Sequence, residues 1–227
     1  MRSSYLFLAV PLFLGTTLSA APCGAGSLQS YVNLGVAGCS VGTVDYRSFQ
    51  IVPGQNGATV INPANVTVTP GGTLFNTTLM LGLTDAASAG QLLDLIFRVQ
   101  ASGLLTAATV SLNSPTITGD GSATGFLDVC GAGSFTGNSP TGCSTTKKSA
   151  VASATAGGPN QLMDGVTFPP SSFFDIFFDV TLDGGSAGRA AISSATLGVN
   201  AVPEPSATVL MVLGIGAIGC LRLLRHR

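Results

Sequence analysis

Phe173-Phe174-Asp175-Ile176-Phe177-Phe178-Asp179-Val180-Thr181-Leu182 is the run of residues that decides the fold. Phe174, Ile176, Phe178, Val180 and Leu182 form one wholly apolar set, and Phe173, Asp175, Phe177, Asp179 and Thr181 alternate with them. A period of two belongs to a strand, because successive side chains point to opposite faces. Upstream, Leu93, Leu95, Phe97 and Val99 alternate with Asp94, Ile96 and Arg98. Both runs predict strands with one face on a core and the other toward water, the habit of antiparallel sheets.

Shorter β-rich runs surround these two. Phe49 to Val52, Thr59 to Thr69, Thr73 to Leu83, Ala108 to Ile117, Ala123 to Val129 and Ala190 to Val199 are punctuated by Gly, Pro, Asn and Asp. Leu28, Tyr31, Val32 and Leu34 have helical spacing, so one short helix is expected over Ser27 to Leu34, with Ser27 as its cap. Gly131 to Pro170 is weakly patterned and reads as a long loop. About eight short strands with turn residues between them predict an all-β fold, an antiparallel β-sandwich of jelly-roll-like form. No internal repeat argues for a solenoid.

Composition narrows the class. Residues 21–201 carry nine aspartates against Arg47, Arg98, Lys147, Lys148 and Arg189, a net charge of −4. That excludes a basic nucleic-acid footprint. Few charges with abundant Gly, Ser, Thr and Ala are unlike a cytosolic enzyme, and the hydrophobic content is too high for disorder. Cys23, Cys39, Cys130 and Cys143 are an even set that predicts two disulfides in an oxidising compartment. Four cysteines allow three connectivities. The local pairs Cys23–Cys39 and Cys130–Cys143 are favoured because each would staple a Gly-rich loop.

The two ends of the chain read as addresses. Met1 and Arg2, the apolar run Tyr5 to Leu14 and the small residues Thr16 to Ala21 make a secretory signal, with a cut expected after Ala20. At the other end, Pro203-Glu204-Pro205 precedes an apolar run from Ala207 to Leu221 and then Arg222, Arg225 and Arg227. The prolines fix backbone angles and remove amide donors, so this tripeptide should be extended and readable by another protein. Fifteen apolar residues make about 22 Å of helix, short of a hydrocarbon core of about 30 Å. Extending the helix over 207–224, with Arg222 snorkelling, brings it into spanning range. The arginines keep the C-terminus cytoplasmic. Residues 1–20, 21–201 and 202–227 therefore read as signal, exported β-rich domain and membrane segment, with Cys220 a reduced thiol facing lipid.

The tail resembles the PEP-CTERM sorting domain of exported bacterial proteins, on Val202, Pro203, Glu204, Pro205, Ser206, the apolar segment and the arginines. The same tail is also labelled the C-terminal domain of ice-binding proteins. The resemblance implies handling by exosortase, a membrane-embedded peptidase, with Pro203, Glu204 and Pro205 as its recognition motif. It also implies a host that makes an exopolysaccharide matrix. The expected function is a non-enzymatic surface or extracellular-matrix protein, exported, held in the inner membrane and then sorted. The alternatives are a carbohydrate- or ice-binding module, a permanently anchored single-pass protein, and a hydrolase using aspartates alone.

Several strings that look chemical fall away. Gly184-Gly185-Ser186-Ala187-Gly188 matches a nucleophile elbow, but the only histidine, His226, lies beyond the apolar run; the string reads as a flexible turn. Ser144-Thr145-Thr146-Lys147 lacks its partner motifs, and Gly214 to Gly219 lies inside the apolar segment. Asp175, Asp179 and Asp183 are calcium candidates, though without the Asp-x-Asp-x-Asp loop; the solvated-face reading is preferred. No cofactor is expected.

Overall fold

The computed structural model describes residues 20–55 and 57–203. Its strands are β1 (Gly26–Ser27), β2 (Cys39–Val41), β3 (Val44–Val52), β4 (Thr59–Val60), β5 (Thr67–Gly72), β6 (Asn76–Gly82) and β7 (Ala86–Ser88). There follow β8 (Leu92–Asn113), β9 (Thr116–Thr118), β10 (Ser122–Gly131), β11 (Thr146–Thr155), β12 (Met163–Asp183), β13 (Arg189–Ala191) and β14 (Ser194–Ala201). One helix, α1 (Leu28–Asn33), sits between β1 and β2. The expected cap is in place: Ser27 Oγ accepts from Ser30 N at 3.2 Å. Tyr31 on α1 packs edge-on against Phe49, 5.1 Å between ring centroids.

The fold is all-β and its long ladders are antiparallel. One large sheet has the order β1-β5-β6-β14-β8-β12-β10-β11, with β3 and β4 also paired to β8. The two-residue β4–β8 contact is the parallel exception among these ladders. The expected Leu93–Val99 and Ala108–Ile117 strands are one strand, β8, that bends in its middle. Before the bend β8 pairs with β3, after it with β14, and with β12 along both halves.

The bend doubles the sheet over. Gly125 pairs with Val180, which pairs with Leu95. Yet a Cβ on Gly125 would lie 2.8 Å from Cγ2 of Val110. Leu95 and Val110 would be about 50 Å apart on a straight strand. Here they face each other across the core, and only a glycine lets β10 come so close. On β8 the turn is made at Gly103, whose φ of 145° disfavours any other residue and whose Cβ would press on Thr43 O at 2.8 Å. On β12 it is made at Pro169 and Pro170, which cannot donate to the ladder, and the register shifts between Thr167 and Phe173. Strands that change layer at bends are the usual corners of a two-layer β fold. Both ends of β8 and β12 therefore return to one end of the domain, where β7, β13 and β9 form a small second sheet.

The core fills the space between the layers. Leu95, Phe97, Val99, Phe174, Ile176, Phe178, Val180 and Leu182 are at most 1% exposed. Burying each such side chain is worth about 1.5–3 kcal/mol. Its polar groups are satisfied: Tyr46 Oη donates to Thr77 Oγ1 (2.6 Å), which donates to Val199 O (3.1 Å). Val151 N of β11, in the second layer (β3, the first half of β8, the second half of β12, β10 and β11), donates at 2.9 Å to Asp164 Oδ2 on the first half of β12, in the first layer.

The long loop expected over Gly131 to Pro170 is a correction. It contains all of β11 and the first half of β12. The small Ala and Ser residues of 146–155 hide a strand whose alternate alanines, Ala150, Ala152 and Ala154, are buried against β10's side of the core. Among the described residues no helix is long and apolar enough to cross a membrane. Residues 1–19 of the predicted signal (1–20), the helix 207–224, Arg222, Arg225, Arg227 and Cys220 lie outside the described residues, as do Glu204 and Pro205.

Candidate functional site

The outer face of the second layer, carrying Asp94, Ile96 and Arg98 of β8 and Asp175, Phe177 and Asp179 of β12, was expected to meet water. Instead a loop from Gly131 to Thr145 lies across half of it. Phe135 from this loop packs edge-on against Phe177, 5.0 Å between centroids, and with Val52, Ile96 and Cys130 makes a second apolar cluster. Cys130–Cys143 joins the loop's two ends, with Cα atoms 5.5 Å apart. Cys23–Cys39 does the same for the segment around α1, at 4.8 Å. The local connectivity is thus the one present.

An ion pair locks the loop. Asp175, wholly buried, accepts from Arg98 Nε at 2.8 Å, with a second contact to Arg98 Nη2, and from Phe135 N at 2.8 Å. Arg98 also donates to Gly137 O (2.9 Å) and Phe135 O (2.8 Å). The carboxylate beside Arg98 raises the guanidinium pKa further. A buried charge is tolerated when paired and hydrogen-bonded on every side, and this pair meets that condition.

The uncovered half of the face is a groove of about 300 Å³. Its floor and sides include Asp94, Ile96, Phe126, Asp128, Phe177 and Asp179, with Pro140 of the covering loop on one side and Gln55 and Ala58 on the other. Phe126 is 41% exposed, so an aromatic ring is available on the groove surface. Asp94 is held by Gln55 N, 3.1 Å from its Oδ2, and Thr181 Oγ1 lies 3.2 Å from Asp179 Oδ1. Asp128 is engaged by Lys147 at 2.9 Å and by Ser149 Oγ.

Burial first, then the hydrogen-bonded Asp94 carboxyl beside it, pushes the Asp179 pKa up to about 8. Both effects disfavour the ionised carboxyl, so Asp179 keeps its proton through neutral pH and can donate one hydrogen bond.

The calcium candidates do not converge. Asp175 and Asp179 share a strand face, but four strand residues separate them by roughly 13 Å. Asp175 is spent on Arg98, Asp179 turns to Asp94, and Asp183 Oδ1 caps Gly185 N at 2.8 Å. Among the described residues no group of three or more potential metal ligands occurs. Asp94, which sequence reasoning left as one polar residue of an outward face, is the missed partner. Its signal lay in the strand pairing, since Asp94 faces Thr181 across the ladder, diagonal to Asp179.

The discarded strings have structural duties. Ser186 Oγ and the amides of Ser186 and Ala187 all donate to Asp120, at 2.6, 2.7 and 2.9 Å. These bonds, the Ser186 side chain foremost, hold Asp120 down to about 2. The Gly184–Gly188 turn is therefore clamped rather than loose. Ser144 Oγ accepts from Ser134 N at 3.1 Å and Lys147 pairs with Asp128, so neither is poised for chemistry. Of the sorting motif, Pro203 is described and exposed.

No curated protein matches the chain. Among solved structures, TmCBM61 in complex with β-1,4-galactotriose is 8% identical, covers 53% of this chain and 69% of its own, and has a TM-score of 0.24. The CBM22-1–GH10 modules of the Clostridium thermocellum endo-1,4-β-D-xylanase 10B, complexed with xylohexaose, are 13% identical, with 68% of this chain and 26% of that one covered and a TM-score of 0.24. Both scores are too low to carry an argument. The tail is another matter: residues 201–227 match the family model of the PEP-CTERM protein-sorting motif, so the chain carries that motif there.

Proposed function

We propose that this chain is a non-enzymatic bacterial surface or extracellular-matrix protein, exported, held in the membrane by residues 207–224 and sorted by exosortase at Pro203-Glu204-Pro205. The observation that carries the reading is the motif match over 201–227, placed directly after the last strand of a disulfide-stapled β domain. The test is the protein's mass and fractionation in a host with and without its exosortase. Loss of the tail and release from the membrane are expected only when the enzyme is present. An intact, membrane-bound tail in both strains would make it a permanent single-pass anchor instead.

A second reading, glycan binding by the exported domain, is favoured by the groove. An exposed Phe126 ring offers a stacking surface, and the Asp94–Asp179 pair offers both donor and acceptor to hydroxyl groups. A glycan array separates the readings: binding that is lost in Phe126→Ala and weakened in Asp179→Asn supports it, and a blank array removes it.

A further inference from the structure

The place where the chain leaves the domain says which end faces the membrane. The last backbone bonds of β14 and its extension are Ala201 N to Phe75 O, 2.7 Å, and Val202 N to Leu104 O, 2.8 Å. The sorting motif begins at the next residue. Only Pro203 to Ser206 separate Val202 from the apolar run that starts at Ala207. The five steps from Val202 to Ala207 reach at most about 18 Å. The polar layer on each side of a bilayer is about 5–7 Å thick. The exit end of the domain is therefore held within about 13 Å of the headgroups.

That end includes the β12 bend at Pro169-Pro170, beside which Lys148 Nζ donates to Thr167 O at 2.5 Å, and three further segments in mutual contact. Thr43 N and Thr43 Oγ1 both donate to Leu74 O, at 2.9 and 2.8 Å, tying the β2–β3 turn to the β5–β6 turn. Gly103, at the β8 bend, lies against Thr43 O. Gly42, Thr43, Thr73, Leu74, Phe75, Asn76, Gly103 and Leu104 carry no charge; Asp45, one step inward on β3, is the nearest acid along these segments. At the tip Leu74 is 62% exposed, an apolar side chain turned largely to the surroundings.

We infer that this end, with Lys148 beside it and no acid at its tip, is a membrane-docking surface, with Leu74 seated among the lipid headgroups. The small β7-β13-β9 sheet then points away from the bilayer, and the groove runs up the side of the domain, open to the surroundings. The same geometry means that a peptidase acting at Pro203-Glu204-Pro205 meets the folded domain one residue from its substrate motif. The inference rests on the anchor reading of the tail.

The test uses the full mature chain, residues 21–227 with Cys220→Ser, in phosphatidylcholine–phosphatidylglycerol vesicles. An environment-sensitive fluorophore is attached at Leu74→Cys, at Asn76→Cys as a second position, or at Ala89→Cys beside the distal sheet. Blue-shifted emission and quenching by lipid-borne quenchers at 74 and 76, with water-like emission at 89, are expected. Vesicle-bound protein with water-like emission at 74 and 76 overturns the docking surface while leaving the anchor intact. Protein that floats free of the vesicles overturns the anchor reading and the docking surface together.

Discussion

The two faces of β12 share ten residues of one strand and the same alternating pattern, yet they came to opposite ends. The inner face, Phe174, Ile176, Phe178, Val180 and Leu182, is buried because a second layer folds onto it. The outer face was equally regular, but it divides. Asp175 and Phe177 are as buried as the core, at 0% and 3% exposure, because the stapled loop lies over them. Asp179 and Thr181 line an open groove. The apolar face is specified by its own composition. The polar face is specified by what a distant segment places upon it, and its charges survive burial only as neutralised pairs.

The comparison can be broken most forcefully from the inside. Phe178→Ala, with its ring 5.4 Å from Phe97 and no exposed surface, should cost about 3–5 kcal/mol in urea unfolding. On the outer face Asp175→Ala should cost about 3 kcal/mol, because Arg98 and Phe135 N are left without their acceptor. An effect below 1 kcal/mol would mean that the loop does not seal this half of the face. Replacing Cys130 and Cys143 by serine opens a staple spanning 13 residues and should cost about 3 kcal/mol or less. Loop proteolysis should rise in that variant while the inner core stays cooperative.

The groove half gives a smaller, pH-dependent effect. The folded pKa of Asp179, about 8, lies above its ordinary value of 3.8. Between those values the folded state holds a proton that the unfolded state has lost. Stability is therefore greatest below about pH 4 on account of this group and declines as pH rises toward 8. Asp179→Asn should flatten that slope and raise Tm at pH 8 by roughly 2–4 °C, equivalent to about 1 kcal/mol. An unchanged pH profile would show that Asp179 is not held protonated in the folded state. Asp120 runs the other way: its contribution is present above about pH 4 and fades as pH falls toward 2. Asp120→Ala should lower Tm least of all these variants, since the group is exposed.

Much of the fold was legible because a period of two is a local property. The inner faces of β8, β10 and β12, the Ser27 cap and the two short-range disulfides each depend on residues close in sequence. β11 was missed because alternating Ala and Ser carry little hydrophobic contrast. The single bent β8 was missed because Gly103 resembles any turn glycine until Thr43 is seen beside it. Of the candidate site, the sorting motif was fully readable, because it is a run of neighbouring residues. The Asp94–Asp179 pair was not, because its members are 85 positions apart and meet only through the β8–β12 register.

By itself, then, the chain determined that this is an all-β, disulfide-stapled domain ending in a PEP-CTERM sorting motif. Alternation, cysteine spacing and the tail's order are written in neighbouring residues. Tertiary structure alone decided which half of the polar face is buried, which aspartates lie side by side, and which end of the domain the tail leaves from. Those outcomes depend on strand register and on the bends at Gly103 and Pro169-Pro170, which bring together residues that no local pattern connects.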